Sequence, residues 1–435
     1  MRPVFQIVAG APSRRFALVL LALVPLCLLH AVSLAEALID LIAGLFLIRA
    51  ALTRDFAWAR LAWVRLALVW WAWLVVCSTP WPWPGFGAAG WRDGFIQALV
   101  TGRLLLFTVA LQVWLLTTPA ARRLVLWGLA LSCLWIGIES WQQLLTGHNL
   151  FGYPRWGDGS LTGPFRKPLA GPLFGHLLFI AVLPASAWLA RRGGWGWRAA
   201  GGGLVTLGLV SCVLIGQRMG VVYGALGLAV VVFYRPRLRL AALVAVAVAG
   251  AVLLALPVLS PPTEAKLVNE TRTNLSHFSK SPYGEIFTVA TVMGLDSPWH
   301  GLGYRGYRAS CLAPRFNTGL PWLGIGPTSR WLGACNLHPQ NYYLQALTDS
   351  GFPGLLLFVS LMGSWCWAAA RFLRQRPDPL RLGLFTSLFT FAWPLASTDE
   401  FPTLYMLGWF FLILGFALSC TDIAARTPEA DMLHD

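Results

Sequence analysis

The chain has 435 residues, 57% of them hydrophobic and 12% charged, with a formal net charge of +15. Ordinary soluble domains carry about twice that charged fraction, and apolar runs long enough to span a bilayer recur along the whole chain, so a soluble globular protein is excluded. The basic residues are spread over many short segments instead of one patch, which argues against a nucleic-acid partner.

A hydrocarbon core ~30 Å thick requires about 20 apolar residues of a helix. Only helices and closed barrels satisfy their own backbone in lipid, and these runs lack the period-2 alternation of barrel strands. An all-α polytopic membrane protein follows. Its expected spans, about twelve by this rule, lie near residues 16–34, 36–50, 62–79, 95–116, 124–141, 169–190, 200–216, 219–234, 240–258, 353–370, 382–396 and 403–420. The first run lacks a small-residue cleavage site followed by a soluble chain, so it reads as an anchor and not as a removed signal peptide.

Basic loops stay in the cytoplasm. Placing Arg2, Arg14 and Arg15 inside puts every other loop of the inner set on the same side. These loops carry Arg49, Arg54, Arg60 and Arg65; Arg122 and Arg123; Arg191, Arg192 and Arg198; Arg235, Arg237 and Arg239; and Arg371, Arg374, Arg376 and Arg381. Both termini are then cytoplasmic. Residues 1–259 form an N-terminal bundle of about nine helices, 260–352 a large outer loop with short helices, 353–420 about three C-terminal helices, and 421–435 a cytoplasmic tail.

In chain order, "TPWPWPGFGAAGW" reads as an interfacial aromatic belt or as a surface for stacking sugar rings. Arg103 lies inside the fourth span, where a charge is costly and faces the bundle interior. Glu139 is either its partner or an acid near the outer end of its own span. In "SLTGPFRKPLAGPLFGH", Arg166 and Lys167 set two cations at an outer span end, suited to a diphosphate or to surface positioning. Arg218, in the tight turn "GQRMG", either grips a phosphate through parallel hydrogen bonds or snorkels to headgroups. In "GLGYRGYR", Arg305 and Arg308 project from a glycine-rich turn, as a phosphate clamp or as partners of Asp296 or Glu285. Cys311 and Cys335 share the large outer loop, where an oxidising compartment permits a disulfide.

"HPQNYYLQALTDSGFPG", His338 to Gly354, ends that loop. Pro339 suits the first position of a helix, which makes His338 the expected cap of a short helix over 339–349, ended by Gly351 before the next span. A helix N-terminus favours the neutral imidazole, which is the form that acts as a general base; the alternative is an interfacial histidine satisfied by backbone. HExxH, a Walker loop and zinc-type His/Cys spacing are all lacking, so neither metal nor cofactor is expected.

Together these residues resemble the O-antigen ligases and related Wzy-type polymerases. His338, Asn341, Gly351 and Gly354 match the segment that closes the family's large loop, with Gln340 at the position of its second histidine. "GQRMG" resembles the family's small-residue–Arg–Gly turn. "LTGPFRKPLAG" resembles its threonine-glycine-x-phenylalanine segment, with Arg166–Lys167 in place of asparagine-proline. "SPWHGLGYRGYR" resembles the proline and glycine run of the same loop. The resemblance implies a metal-independent, inverting glycosyltransferase of the C type. Such an enzyme moves a polysaccharide from undecaprenyl diphosphate to a sugar hydroxyl of lipid A–core, at the periplasmic face of the bacterial inner membrane. It casts His338 as base and Arg218 and Arg305 as catalytic cations, with Arg308, Arg166, Lys167, Gln340 and Asn341 around the lipid-linked glycan. A Wzy-type polymerase or a protein O-oligosaccharyltransferase would share the donor. A lipid or solute transporter would belong to another class, but internal repeats are common there and none is evident here.

Overall fold

The computed structural model of the chain describes residues 11–81, 91–328, 335, 338–376, 378–401 and 403–426. Arg2, Arg330, most of the tryptophan-rich "TPWPWPGFGAAGW" and the end of the C-terminal tail lie outside them. Among the described residues the chain is helical, with two isolated bridges and no strand. Numbering the helices of thirteen or more residues gives α1 (Ala11–His30), α2 (Val32–Thr53), α3 (Ala62–Ser78), α4 (Trp91–Ala110), α5 (Pro119–Thr146), α6 (Ala170–Arg191), α7 (Trp195–Ile215), α8 (Arg218–Tyr234) and α9 (Arg239–Leu259). The numbering continues with α10 (Pro282–Asp296), α11 (Tyr342–Ala370), α12 (Pro379–Phe391) and α13 (Leu404–Arg426). Eight of the described helices are long and apolar enough to cross a membrane, and Ala62–Ser78 and Arg218–Tyr234 are shorter apolar helices. The protein is a multi-pass, all-helical membrane protein.

Each of the twelve apolar runs overlaps one of these helices, but the ends move. The run 16–34 is interrupted at Ala31, whose φ of −145° and ψ of 65° end α1 before α2 begins at Val32. The run 382–396 stops short, because α12 ends at Phe391. Beyond it, the carbonyls of Ala392, Pro394 and Ala396 accept hydrogen bonds from the side chains of Tyr343 and Asn341, and Pro394 has no N–H to continue a helical ladder.

Burial sorts the bundle radially. α13 is central, with 94% of its apolar window buried, whereas α9 is peripheral at 17%. Leu254 and Val258 on α9 are more than four-fifths exposed, a surface that only lipid tolerates over a whole helix. Arg103 on α4 meets the acids of α2: Nη1 donates to Asp40 at 2.9 Å, and Nη2 contacts Glu36. Glu139 is not its partner; it is buried and accepts the backbone N–H of Leu150 at 3.1 Å. Sequence spacing gives no signal that α2 is the helix laid beside Arg103.

Between α9 and α11 the chain builds a small subdomain. Ile286, Val289 and Met293 of α10 pack with Tyr307 and Phe316, and Cys311 and Cys335 are bonded with Cα atoms 5.2 Å apart. The subdomain is tied to the loop before α6 by the Lys266–Asp158 ion pair and by Arg155, which donates to Ser260 at 2.9 Å. Replacing both cysteines by serine is expected to remove about 2–4 kcal/mol from this region, read as a lower melting temperature and faster proteolysis between residues 260 and 340 of the purified chain.

α11 is a broken helix. Ser350 and Gly351 leave helical geometry, with Gly351 at φ 67°, ψ −170°, a region open essentially to glycine alone. The break frees two carbonyls for the glycine-rich turn: Leu302 N–H donates to Thr348 O at 2.7 Å and Gly303 N–H to Asp349 O at 3.1 Å. In return Pro298 O accepts the N–H of Phe352 at 2.7 Å. A Cβ on Gly351 would lie 2.5 Å from Pro298 O, and one on Gly301 2.5 Å from Thr348 O. Gly351→Ala is therefore expected to cost about 1–3 kcal/mol, measured as a fall in melting temperature in detergent.

Candidate active site

The N-terminus of α11 is capped by Asn341, not by His338. Asn341 Oδ1 accepts from the N–H groups of Tyr343 and Leu344 at 3.0 and 3.1 Å, the geometry that favours asparagine at this position. Pro339 and Gln340 therefore lie before the helix, Gln340 with φ +57°. The expected helix over 339–349 starts at Tyr342 and does not place the imidazole at its cap.

The stretch 338–345 is instead stitched to residues 392–401, the segment between α12 and α13. Asn341 Nδ2 donates to Pro394 O at 2.7 Å, and Thr398 N–H donates to Gln340 O at 2.9 Å. Ser397 donates to Gln340 Oε1 at 3.3 Å, and Gln345 makes paired bonds, both 2.8 Å, with the backbone of Phe401. This stitching carries two adjacent acids, Asp399 and Glu400, to the functional side chains.

His338 is buried. Its Nδ1 accepts the N–H of Gln340 at 3.2 Å, and its Nε2 lies 3.4 Å from Asp399 Oδ1. The backbone bond fixes the tautomer: with Nδ1 as acceptor, the neutral ring carries its proton on Nε2, aimed at the carboxylate. Burial pushes the Asp399 carboxyl upward. The hydrogen bond and charge of His338, the N–H of Glu400 and Thr403 outweigh it, so the group is held below the usual carboxylate range.

Arg305 pairs with Glu400 and not with Asp296 or Glu285. Nε donates to Oε1 at 2.8 Å and Nη2 to Oε2 at 3.2 Å, the two-pronged geometry suited to guanidinium. Burial lowers the guanidinium pKa, but the bond to Glu400 is the larger effect and the net shift is upward. The backbone of Arg305 is left-handed, φ +63°, held by the glycine-rich turn, and Tyr304 N–H is anchored on Ser78 Oγ at 3.0 Å. His338 and Arg305 are thus brought together through consecutive residues of one short segment. Arg308 is exposed on the same turn.

Arg218 opens α8 and forms a different pair, Nη2 to Glu270 Oε1 at 2.6 Å. The preceding Gln217 is buried and welds two motifs together: its Oε1 accepts Gly171 N–H at 2.9 Å and its Nε2 donates to Leu161 O at 3.3 Å. A Cβ on Gly220 would sit 2.8 Å from Gly171 O, so "GQRMG" and "LTGPFRKPLAG" meet backbone to backbone. Arg166 and Lys167 are exposed beside them, with Arg166 5.2 Å from the Tyr153 ring centre. A stack joins this region to the end of α12: His176 lies between Tyr223 of α8 and Phe391, at 4.1 and 3.5 Å between ring centres, and its Nδ1 is 2.8 Å from Thr390 Oγ1.

Sequence reasoning did not reach Asp399, Glu400 or Glu270. A signal for the first two does exist: acids are scarce, 18 in 435 residues, and 399–400 is the one place where two are adjacent.

Residues 202–359 match the family model Wzy_C, described as O-antigen ligase. The match runs from α7 past the break in α11 and so includes Arg218, Arg305 and His338; Asp399 and Glu400 lie beyond its end. No curated protein matches the chain.

Proposed function

We propose, for a chain whose residues 202–359 are those of the O-antigen ligase and Wzy-type family, that the protein transfers a glycan from undecaprenyl diphosphate to a sugar hydroxyl of lipid A–core. Transfer takes place at the periplasmic face of the inner membrane and inverts the anomeric carbon. The observation that carries this reading is the meeting of an acid-paired imidazole and an acid-paired guanidinium on the single segment Asp399–Glu400.

The acceptor hydroxyl approaches the His338–Asp399 pair. Because the Nε2–H of the neutral imidazole already points at the carboxylate, His338 holds Asp399 ionised and oriented, and Asp399 takes the hydroxyl proton, becoming the neutral acid while the imidazole keeps its own proton. The hydroxyl oxygen forms the new bond to the anomeric carbon. The bond from that carbon to the diphosphate breaks, and the electron pair leaves on the diphosphate. Developing negative charge there is met by fixed guanidinium donors, the kind of preorganised stabilisation that lowers such barriers most. Glu400 occupies Nε and one Nη of Arg305, and a guanidinium has five N–H donors, so Arg305 keeps an edge for a phosphate oxygen. The carboxylate paired with Arg218 is Glu270, half exposed, and the diphosphate can displace it. Arg166, Lys167 and Arg308 line the approach for the anionic carrier, and Gln340 and Asn341 hold the loop that carries the base.

The test is reconstitution of the purified full chain in proteoliposomes with a defined lipid-linked oligosaccharide and a lipid A–core acceptor, without a gradient. One-step capping of the acceptor is expected. Elongation of the lipid-linked donor with no capping would assign a polymerase, and no turnover with either acceptor would overturn the glycosyltransferase reading.

A further inference from the structure

A cavity of ≈ 500 Å³ lies at the end of the bundle away from His338, among α6, α7, α8, α9 and α12. Its walls are apolar, formed by Phe179, Leu183, Val205, Leu228 and Val231, and its mouth carries Arg198 and Arg235; among the described residues no carboxylate lines it. Its size falls in the ~300–1,000 Å³ range of small-ligand sites. Glycine makes part of the wall: a Cβ on Gly202 would meet nothing within 4 Å, so the space beside it is open. Next to the mouth, the Arg192 guanidinium sits 3.9 Å from the Trp188 ring centre and 4.9 Å from that of Trp197, and both indoles are exposed. Exposed tryptophans stacked with arginine mark the depth of lipid headgroups. A basic mouth over an apolar slot between helices is the arrangement that receives an anionic phospholipid.

We propose that this cavity is a binding site for an anionic diacyl phospholipid, with one acyl chain in the slot between α6, α7 and α9 and the phosphate at Arg198 and Arg235. The site is separate from the transfer site and stands whether or not the chain is a glycosyltransferase. The charge at the mouth selects the headgroup, and the depth of the slot selects a lipid over a free phosphate. Bound there, the lipid fills space between peripheral α9 and the rest of the bundle, which secures the least buried of the eight membrane-spanning candidates.

The experiment uses the purified full chain, delipidated and titrated with phosphatidylglycerol or phosphatidylethanolamine, with bound lipid counted by native mass spectrometry. Retention of one phosphatidylglycerol, at least tenfold tighter than phosphatidylethanolamine, is expected for the unaltered protein. Arg198→Gln with Arg235→Gln should abolish that preference, Arg198→Lys with Arg235→Lys should keep it, and Gly202→Leu should block retention by filling the slot. Equal binding of the two lipids by the unaltered protein would overturn the proposal. So would undiminished retention by Gly202→Leu, which would mean headgroups adsorbing to a basic rim. The unaltered-protein comparison decides the matter even if the double variant does not fold.

Discussion

Asp399→Asn is expected to lower kcat for glycan transfer by about 10²–10⁴-fold, the usual worth of a positioned acid–base group. The substitution keeps size and the ability to accept from His338 Nε2, so the helices it borders should stay in place. His338→Gln should lose a similar factor, and the double variant little more, because groups that work as one unit lose their effect once. Multiplying losses would instead mean that the two act separately, and a wild-type rate for Asp399→Asn with an intact fold would reduce it to an anchor for the loop. The same carboxylate sets a pH dependence. Its pKa is held below the usual value in the folded protein, so the pair adds stability above the ordinary carboxylate pKa of ~3.9. That contribution is lost as pH falls through the lowered folded value. Asp399→Asn should therefore flatten the acid limb of a melting-temperature profile, melting below the unaltered protein at neutral pH and converging with it at low pH.

Arg305→Ala should do two things that can be separated. It leaves Glu400, whose side chain is only 6% exposed, as an unpaired buried carboxylate, which costs about 3–5 kcal/mol in such settings. It also removes a donor from the leaving diphosphate, which should cost about 10²–10³-fold in kcat. Adding Glu400→Gln restores most of the stability, because the buried charge is gone, but leaves turnover low. Recovery of both in the double variant would make the pair purely structural. Arg305→Lys keeps the charge and loses the two-pronged bond, so it should lie between wild type and alanine in both measurements.

These two predictions rest on residues with different visibility in the sequence. His338 and Arg305 stand out because each sits in a short polar motif beside glycine or proline at the edge of an apolar run. Asp399 is 61 positions from His338 and Glu400 is 95 from Arg305. Nothing local marks them as partners, and the hydropathy window that extended a span to residue 396 hid the irregular segment holding them. The cap of α11 shows the same limit on a small scale: Pro339 is an acceptable first helical residue, yet Asn341 takes the role because its amide group is also held by the carbonyls of Pro394 and Ala396.

What the amino-acid order decides by itself is the run of apolar helices, because each satisfies its own backbone within some twenty residues. The same holds for the glycine at 351, where the chain must take a positive φ. Which helix meets which is decided only on folding. Arg103 could have met any acid at its depth and met those of α2, and the imidazole and guanidinium acquired neighbouring carboxylates from a segment beyond the matched domain. Packing selects such partners because a buried charge must find its counter-charge wherever the assembled bundle places one.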